Sequence, residues 1–452
     1  MTVKKVDRAE QFIEITRSLC PVCNRLIDAE LQVRSHKVFM HKRCPEHGWF
    51  DTLVSGDSQH YFSSLKYNKP GTLPNYFASE VHNGCPEDCG LCPEHKQHTC
   101  LGIIEITDAC NLRCPTCFAD ACGESFLSKE QVGDMLDLFV KCEGEPEVLQ
   151  LSGGEPTLHP ELFEILNIAK SKGIKVVQLN TNGVRIAQDS EFTERLAEIK
   201  PAIYLQFDGF SDDIYRHLRG VDLLAIKMKA IEYLTEKGFT IVLAVTVVKG
   251  INDHQLGKIA DFAIRHPAIR GVLFQPVTYT GRFSAVDPLD RMTLPDVLQG
   301  LESQSKRLLL KSDFVPIPCP HPTCSAVTYV YTDNEQITPI TRIINVDDYL
   351  DYFKNQIITD LTPLTKGALE GLWSASATPG TEKATIDVAC ACGLPMLDLG
   401  ELEQQITMIG VHAFMDPYNF DLKRARKCCI HQILPSGKMV PFCVYNNLKR
   451  GC

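Results

Sequence analysis

The side chains with the most chemistry to offer in this sequence are its 20 cysteines. Cys110, Cys114 and Cys117 stand in "DACNLRCPTCF" at a C-x3-C-x2-C spacing. A closed structural metal site takes four protein ligands, so three thiolates alone leave one coordination position for a group from outside. Three thiolates can hold three irons of a [4Fe–4S] cube and leave the fourth open. The bland reading is a zinc knuckle completed by a distant ligand.

The other cysteines also fall largely at ligand spacings, and cytoplasmic thiols are rarely paired as disulfides. Cys20, Cys23, Cys44 and His47 form C-x2-C…C-x2-H, a tetrahedral site for zinc or for a single iron as in rubredoxin. The histidine favours zinc, and His41 is its alternative. Cys85, Cys89, Cys92 and Cys100 supply four thiolates ahead of the first strand of the central zone, which suits a closed [4Fe–4S] cluster, with zinc second. Near the C-terminus stand Cys319 and Cys324 in "PCPHPTC", then Cys428, Cys429 and Cys443 around a "PSGK" hairpin turn. Cys319, Cys324, Cys443 and one of Cys428 and Cys429 make a further four. His321 and His431 read as hydrogen-bonding neighbours. Cys122, Cys142 and Cys452, with Cys390 and Cys392, read as small buried hydrophobes.

What must position these groups is an α/β scaffold. Six β-rich runs, "LGIIEIT", "VLQLSGG", "KVVQLNTNG", "AIYLQFDG", "TIVLAVTVV" and "GVLFQPVTY", alternate with amphipathic segments. This predicts a parallel sheet wrapped by helices, a partial (βα)6 barrel short of the complete eight units. Polar motifs fall at the C-terminal ends of the strands, where such barrels carry their chemistry. Four zones follow: a metal-binding domain over 1–75, an auxiliary-cluster segment over 76–100, the barrel over 101–312 and a C-terminal metal-binding zone over 313–452. The net charge of −10 argues against a nucleic-acid partner. No apolar run of about 18 residues predicts a membrane span, and "MTVKKVDRAEQFIEITRS" has no apolar signal core, so a cytoplasmic protein is expected.

A three-cysteine loop after strand one of a six-unit partial barrel resembles the radical S-adenosylmethionine (SAM) superfamily. The resemblance implies that the open iron binds SAM and that reductive cleavage yields a 5′-deoxyadenosyl radical, fed by a donor such as ferredoxin or flavodoxin. It places Gly153, Gly154 and Glu155 of "SGGEP" on the SAM amino group and Asn180 and Asn182 of "NTNG" near the ribose. Gln206 and Arg219 fall on SAM, where a guanidinium fork suits a carboxylate. Val248 and Asn252 are expected to face the adenine. Phe118 is typical of the family, or a core aromatic. The C-terminal zone resembles auxiliary-cluster (SPASM-like) domains, whose "CIH" pattern favours Cys429 over Cys428.

Taken with both cysteine-rich ends, the chain resembles the group of archaeal tetraether lipid synthases, some first described as pterin methyltransferase-like proteins. That implies hydrogen abstraction from an unactivated carbon, then carbon–carbon bond formation on a lipid chain. Methyl transfer to a pterin-like ring and peptide maturation are the competing activities. A non-enzymatic iron–sulfur relay has no need of "GGEP" or an open iron. A lipid implies a long tunnel lined by Leu, Ile, Val and Phe; a pterin implies a short polar pocket.

Overall fold

The computed structural model describes residues 10–121, 123–283, 287–317, 319–333, 336–342 and 405–450. Cys122, Cys390, Cys392 and Cys452 lie outside them.

Two sheets organise the described residues. The first is an antiparallel meander of β1 (Glu10–Leu19), β2 (Leu26–Arg34), β3 (Lys37–Cys44) and β4 (Gly48–Ser55), followed by α1 (Ser58–Leu65). The second contains the six expected strands in chain order: β5 (Leu101–Thr107), β6 (Val148–Gly153), β7 (Val176–Thr181), β8 (Ala202–Gln206), β9 (Ile241–Val247) and β10 (Ile269–Pro276). All five neighbouring pairs are parallel. Their continuous apolar sequences, such as "IVLAVTV" in β9, follow from burial on both faces.

The crossovers carry α2 (Lys129–Glu143), α3 (Leu162–Ser171), α4 (Val184–Gln188), α5 (Ser190–Ile199), α6 (Asp212–Arg219), α7 (Leu224–Glu236) and α8 (Leu256–Arg265), and α9 (Leu294–Gln304) follows β10. Helix α2 shows why these segments form. Ser128 and Gln131 make a capping box, Val132, Met135, Leu136 and Phe139 bury one face at helical spacing, and Gly144 ends it at a φ of 74°.

The sheet does not stop at six strands. Strand β13 (Ile406–His412) adds in parallel to β10, with β11 (Ser325–Asp333) and β12 (Gln336–Pro339) antiparallel beyond it. On the opposite edge β14 (Ile430–Ile433) pairs in parallel with β5, with Ile430 opposite Leu101, and the "PSGK" turn returns as β15 (Met439–Pro441). The C-terminal chain thus flanks both edges of the barrel sheet.

The small sheet is anchored to the C-terminal chain by Lys42 of β3, 1% exposed. Its Nζ donates to Ser18 Oγ at 2.9 Å and to the carbonyls of Leu19, Pro417 and Tyr418 at 2.7 Å each. Next to that contact, buried Asp416 is ion-paired with Arg291 at 2.5 Å.

Candidate active site

The cysteine loop leaves the C-terminal end of β5. It is buttressed by the glycines that end β6. The amides of Gly154 and Glu155 donate to the carbonyls of Thr107 and Ala109, both at 2.8 Å. A side chain at Gly153, at φ 124°, would meet Thr107 O at 2.0 Å, and one at Gly154 would meet Ala109 O at 2.1 Å. The contact is therefore open only to glycine. Cys110, Cys114 and Cys117 are half-buried and line one cavity together. Burial pushes the Cys110 thiol up to about 11, and the nearby Glu155 and the other two thiols add to it. The Arg219 guanidinium is an electrostatic neighbour of Cys114, and that of Arg282 a neighbour of Cys117.

The motif residues divide into those that face the cavity and those that hold the loops. Gly153, Gly154, Asn180, Asn182, Gln206 and Arg219 line it. Glu155 also reaches the cavity, but its carboxylate is spent on the scaffold. Oε1 accepts from Thr157 Oγ at 2.6 Å and Thr181 Oγ at 2.7 Å, and Oε2 accepts from the Asn182 amide at 2.7 Å. It ties the β6 loop to the β7 loop rather than standing free for an ammonium group.

Arg219 likewise differs from expectation. Its fork is occupied by Asp208, at 2.7 and 2.8 Å, in a fully buried pair. Val248 and Asn252 do not line the cavity. Asn252 is 0% exposed and closes the end of β9, donating to the Asp208 and Thr246 carbonyls at 2.9 and 2.7 Å and accepting from the Val248 amide at 2.8 Å. Val248 packs with Ile214 and Leu218. Asn252 thus acts as a loop clamp at the end of β9. Phe118 lines the cavity and stacks on Phe442 at 5.3 Å.

The cavity, about 340 Å³, runs through the barrel. One end is the cysteine loop. The other reaches Leu101, Pro320, Cys429 and Ile430. The seven residues of β5 between those ends span roughly 20 Å. Between them the wall carries an inward polar row of Gln150, Gln178, Tyr204 and Gln275, with Gln150 directly opposite Gln178 in the sheet. Gln275 donates to Tyr204 Oη at 2.8 Å. Gln150 and Gln178 are 8% and 3% exposed, and neither side chain has a hydrogen-bonding partner among the described residues. The wall thus combines the Leu, Ile, Val and Phe lining expected for a lipid with a polar row.

Residues 104–263 match the profile of the Radical SAM superfamily, and residues 12–56 that of the HMPTM N-terminal zinc ribbon domain. Over 96% of its length the chain is 36% identical to the 7,8-dihydro-6-hydroxymethylpterin dimethyltransferase of Methanocaldococcus jannaschii, covering 94% of that protein. The chain belongs to the radical SAM superfamily. A GTP 3′,8-cyclase of Aquifex aeolicus is 27% identical over 53% of the chain and 73% of its own length. Among solved structures, Streptococcus suis SuiB bound to precursor peptide SuiA aligns over 47% of the chain and 46% of its own, at 19% identity and a TM-score of 0.40.

The residues present fit the two groups a radical SAM enzyme takes, a [4Fe–4S] cluster and SAM. Among the described residues, only the ribbon set discussed next has all its donor atoms within 4.8 Å of one another. The Cys110, Cys114 and Cys117 set is wider, as a multi-iron cube requires. Its cavity rim is polar and includes Asn180, Asn182 and Gln206.

The zinc-ribbon fold places two ligands on each of two turns. Cys20 and Cys23 sit between β1 and β2, while Cys44 ends β3 and His47 lies in the turn to β4. His47 Nδ1 lies 3.6 Å from Cys20 Sγ and 3.4 Å from Cys44 Sγ, and the Cys23 and Cys44 sulfurs are 4.0 Å apart. Zinc bonds of about 2.0–2.3 Å in a tetrahedron imply donor separations of roughly 3.4–3.8 Å, so this set fits one ion. His41 is excluded from it, because its ring stacks on Trp49 and its Nδ1 pairs with Asp51 at 3.0 Å.

The remaining cysteines are grouped differently from their sequence spacing. Cys85, Cys89 and Cys92 are mutual electrostatic neighbours. Cys100 is set instead against Cys319 and Cys429, all three buried. Its place is fixed by the β5–β14 pairing, because its amide donates to Cys429 O at 2.9 Å. Cys324 accepts from Arg424 at 3.3 Å and has Cys443 and Cys428 as neighbours. Cys443 Sγ accepts from the Met415 amide at 3.4 Å. Cys142 is buried in α2, as a small hydrophobe should be. Spacing within the motifs missed Asp208, Thr246, Lys227 and Arg282. Only Asp208 had a local signal, two residues beyond Gln206.

Proposed function

We propose that this radical SAM enzyme makes a carbon–carbon bond at an unactivated carbon by methyl transfer to a pterin-like ring. The observation that carries the substrate class is the pair Gln150 and Gln178. Each is more than nine-tenths buried, faces the cavity and has no hydrogen-bonding partner among the described residues. A fused heterocycle with ring N–H, carbonyl and amino groups supplies those partners, and an alkane does not. The 36%-identical relative named as a pterin dimethyltransferase supports the same reading.

When bound, the cluster and SAM supply one-electron cleavage of a carbon–sulfur bond and so the means to break an unactivated C–H bond. The chain's own part is positioning. Asn180, Asn182 and Gln206 orient SAM over the three thiolates. Gln150, Gln178 and Tyr204 hold the ring, and the barrel excludes water from it. Cys85, Cys89 and Cys92 hold one auxiliary cluster, and the cysteines flanking β5 and β14 serve another. A ferredoxin or flavodoxin supplies electrons in the cytoplasm.

A second reading, coupling of lipid chains, is favoured by the apolar wall of Val242, Leu273, Ile317, Val327, Met408 and Ile430 along the same cavity. The test is anaerobic turnover of the reduced protein with SAM and either 7,8-dihydro-6-hydroxymethylpterin or an isoprenoid glycerolipid. The first reading expects 5′-deoxyadenosine and a methylated pterin. Turnover of the lipid with the pterin untouched would replace it with the second.

A further inference from the structure

The cysteine loop is held at its entrance by the amides of Gly154 and Glu155. Its exit, from Cys117 to Ala121, is held by two arginines from distant parts of the chain. The Cys117 carbonyl accepts from the Arg282 amide at 3.1 Å, and a side chain at the neighbouring Gly281, at φ 63°, would meet that oxygen at 2.1 Å. The Ala121 carbonyl accepts from Arg282 Nη2 at 2.8 Å, and the same guanidinium is ion-paired with Asp120 at 3.0 Å. Between them, the Ala119 carbonyl accepts from Arg450 Nη1 at 3.1 Å, across 331 residues of sequence.

Arg450 is itself firmly set. Nη1 and Nη2 grip the two oxygens of Glu105 at 3.1 and 2.5 Å, and Nε donates to Asn446 Oδ1 at 2.8 Å. Tyr445 Oη donates to the same carboxylate at 3.1 Å, and its ring lies 4.8 Å from the guanidinium. The Glu105 and Arg450 side chains are 19% and 18% exposed, and both residues line the cavity. Glu105 stands on β5, the strand from which the cysteine loop departs. The guanidinium thus joins the strand where the loop begins to a carbonyl where it ends. A planar fork of several fixed donors can make these contacts at once, and a lysine ammonium cannot.

We propose that Arg450 is a positioning residue for SAM cleavage: bound to Glu105 and to the Ala119 carbonyl, it fixes the exit of the cysteine loop and so the geometry in which the three thiolates hold their cluster against SAM. The segment after β15 takes part in radical formation without carrying any of those thiolates. This rests on the reading of Cys110, Cys114 and Cys117 as the cluster ligands and adds a residue that sets their geometry. Misplacing reacting groups by about 1 Å costs on the order of a hundredfold in rate, so the loss falls on turnover rather than on SAM affinity.

The experiment uses the full chain, reconstituted anaerobically with iron and sulfide and reduced with dithionite. Arg450→Lys keeps the charge and removes the fork. It should retain the wild-type iron content, lower kcat for 5′-deoxyadenosine formation at least about tenfold and change KM for SAM less than about threefold. The change that SAM causes in the electron paramagnetic resonance spectrum of the reduced cluster should be altered too, a signature that loss of stability alone does not move. Arg450→Ala should behave alike. Lys423→Ala, which breaks an ion pair with Glu14 elsewhere in the C-terminal chain, should match the wild type. Glu105→Gln weakens the same tie from its other side, is read by the same measures, and decides if an Arg450 variant loses iron. A wild-type spectral response with kcat within about twofold of the wild type would overturn the proposal. So would an equal loss in Lys423→Ala, which would mark a general weakening of the C-terminal chain. A wild-type spectrum that SAM leaves unchanged would instead refute the reading of the three thiolates, and this proposal with it.

Discussion

Lys227 Nζ donates to Gln206 Oε1 at 2.6 Å, from a side chain that is fully buried behind the sheet on α7. The same ammonium donates to the backbone carbonyl of Asn182. One cation from outside the barrel thus fixes two of the groups that face the cofactor space. Burial lowers its pKa to about 7, although Asp208 pulls the other way.

Lys227→Met should therefore weaken SAM binding more than it slows turnover of bound SAM. Loss of two buried hydrogen bonds predicts a rise of at least about tenfold in KM for SAM, equivalent to about 1.4 kcal/mol. Steady-state formation of 5′-deoxyadenosine reads it, and an unchanged KM would count against the positioning role.

The same lysine should leave a mark on stability against pH. Its folded pKa of about 7 lies below the ordinary 10.5. Between those values the unfolded chain carries a proton that the folded chain lacks. Stability should rise with pH across that window, and the contribution is lost as pH falls through about 7. Differences in Tm between wild type and Lys227→Met, followed from pH 6.5 to 9.5, should show that slope in the wild type only.

Replacing Cys110, Cys114 and Cys117 together by Ala should remove about four irons per chain and abolish SAM cleavage. Iron assay and detection of 5′-deoxyadenosine decide it. SAM cleavage that survives in this variant would move the cofactor site elsewhere.

Zinc removal should be felt beyond the ribbon. A strong chelator, or Cys44→Ser, should release one zinc and lower Tm, because structural zinc binding is folding free energy. Lys42 joins β3 to Pro417 and Tyr418, so protease protection should fall around residues 416–421 as well as within 12–56. Loosening confined to the ribbon would contradict the anchoring role of Lys42.

Gln178→Leu should separate the two substrate readings. It removes a polar partner at the cavity wall and adds apolar surface. Activity on a pterin should fall at least about tenfold in kcat/KM, whereas activity on an alkyl chain should hold or rise.

The legible parts of this molecule are the local ones. All six apolar runs became parallel strands, because strands buried on both faces read as unbroken hydrophobic stretches. The cysteine loop was legible for the same reason, since its three thiolates lie within eight residues. What the spacing hid was non-local. Cys100 looks like the fourth of a local quartet, but β14 arrives from the far end of the chain and claims it. Arg219 has a local partner in Asp208, yet "QFDGF" does not reveal that the fork is filled. Lys227 sits in "LAIKMKAIEYL", where it reads as an ordinary solvated lysine. Asn252 makes three backbone hydrogen bonds that a turn motif cannot announce.

The pairing of β14 with β5 also sets an order of events during synthesis. Strand β5 leaves the ribosome early, and its outer edge stays without a neighbour until residues 430–433 have been made. Through most of translation the nascent chain carries an exposed strand edge, a template for pairing with other chains. Cys100 waits for Cys429 over the same interval. If Cys100 and Cys429 share a metal centre, as proposed, its loading can only follow completion of the last strands, on a nearly finished chain.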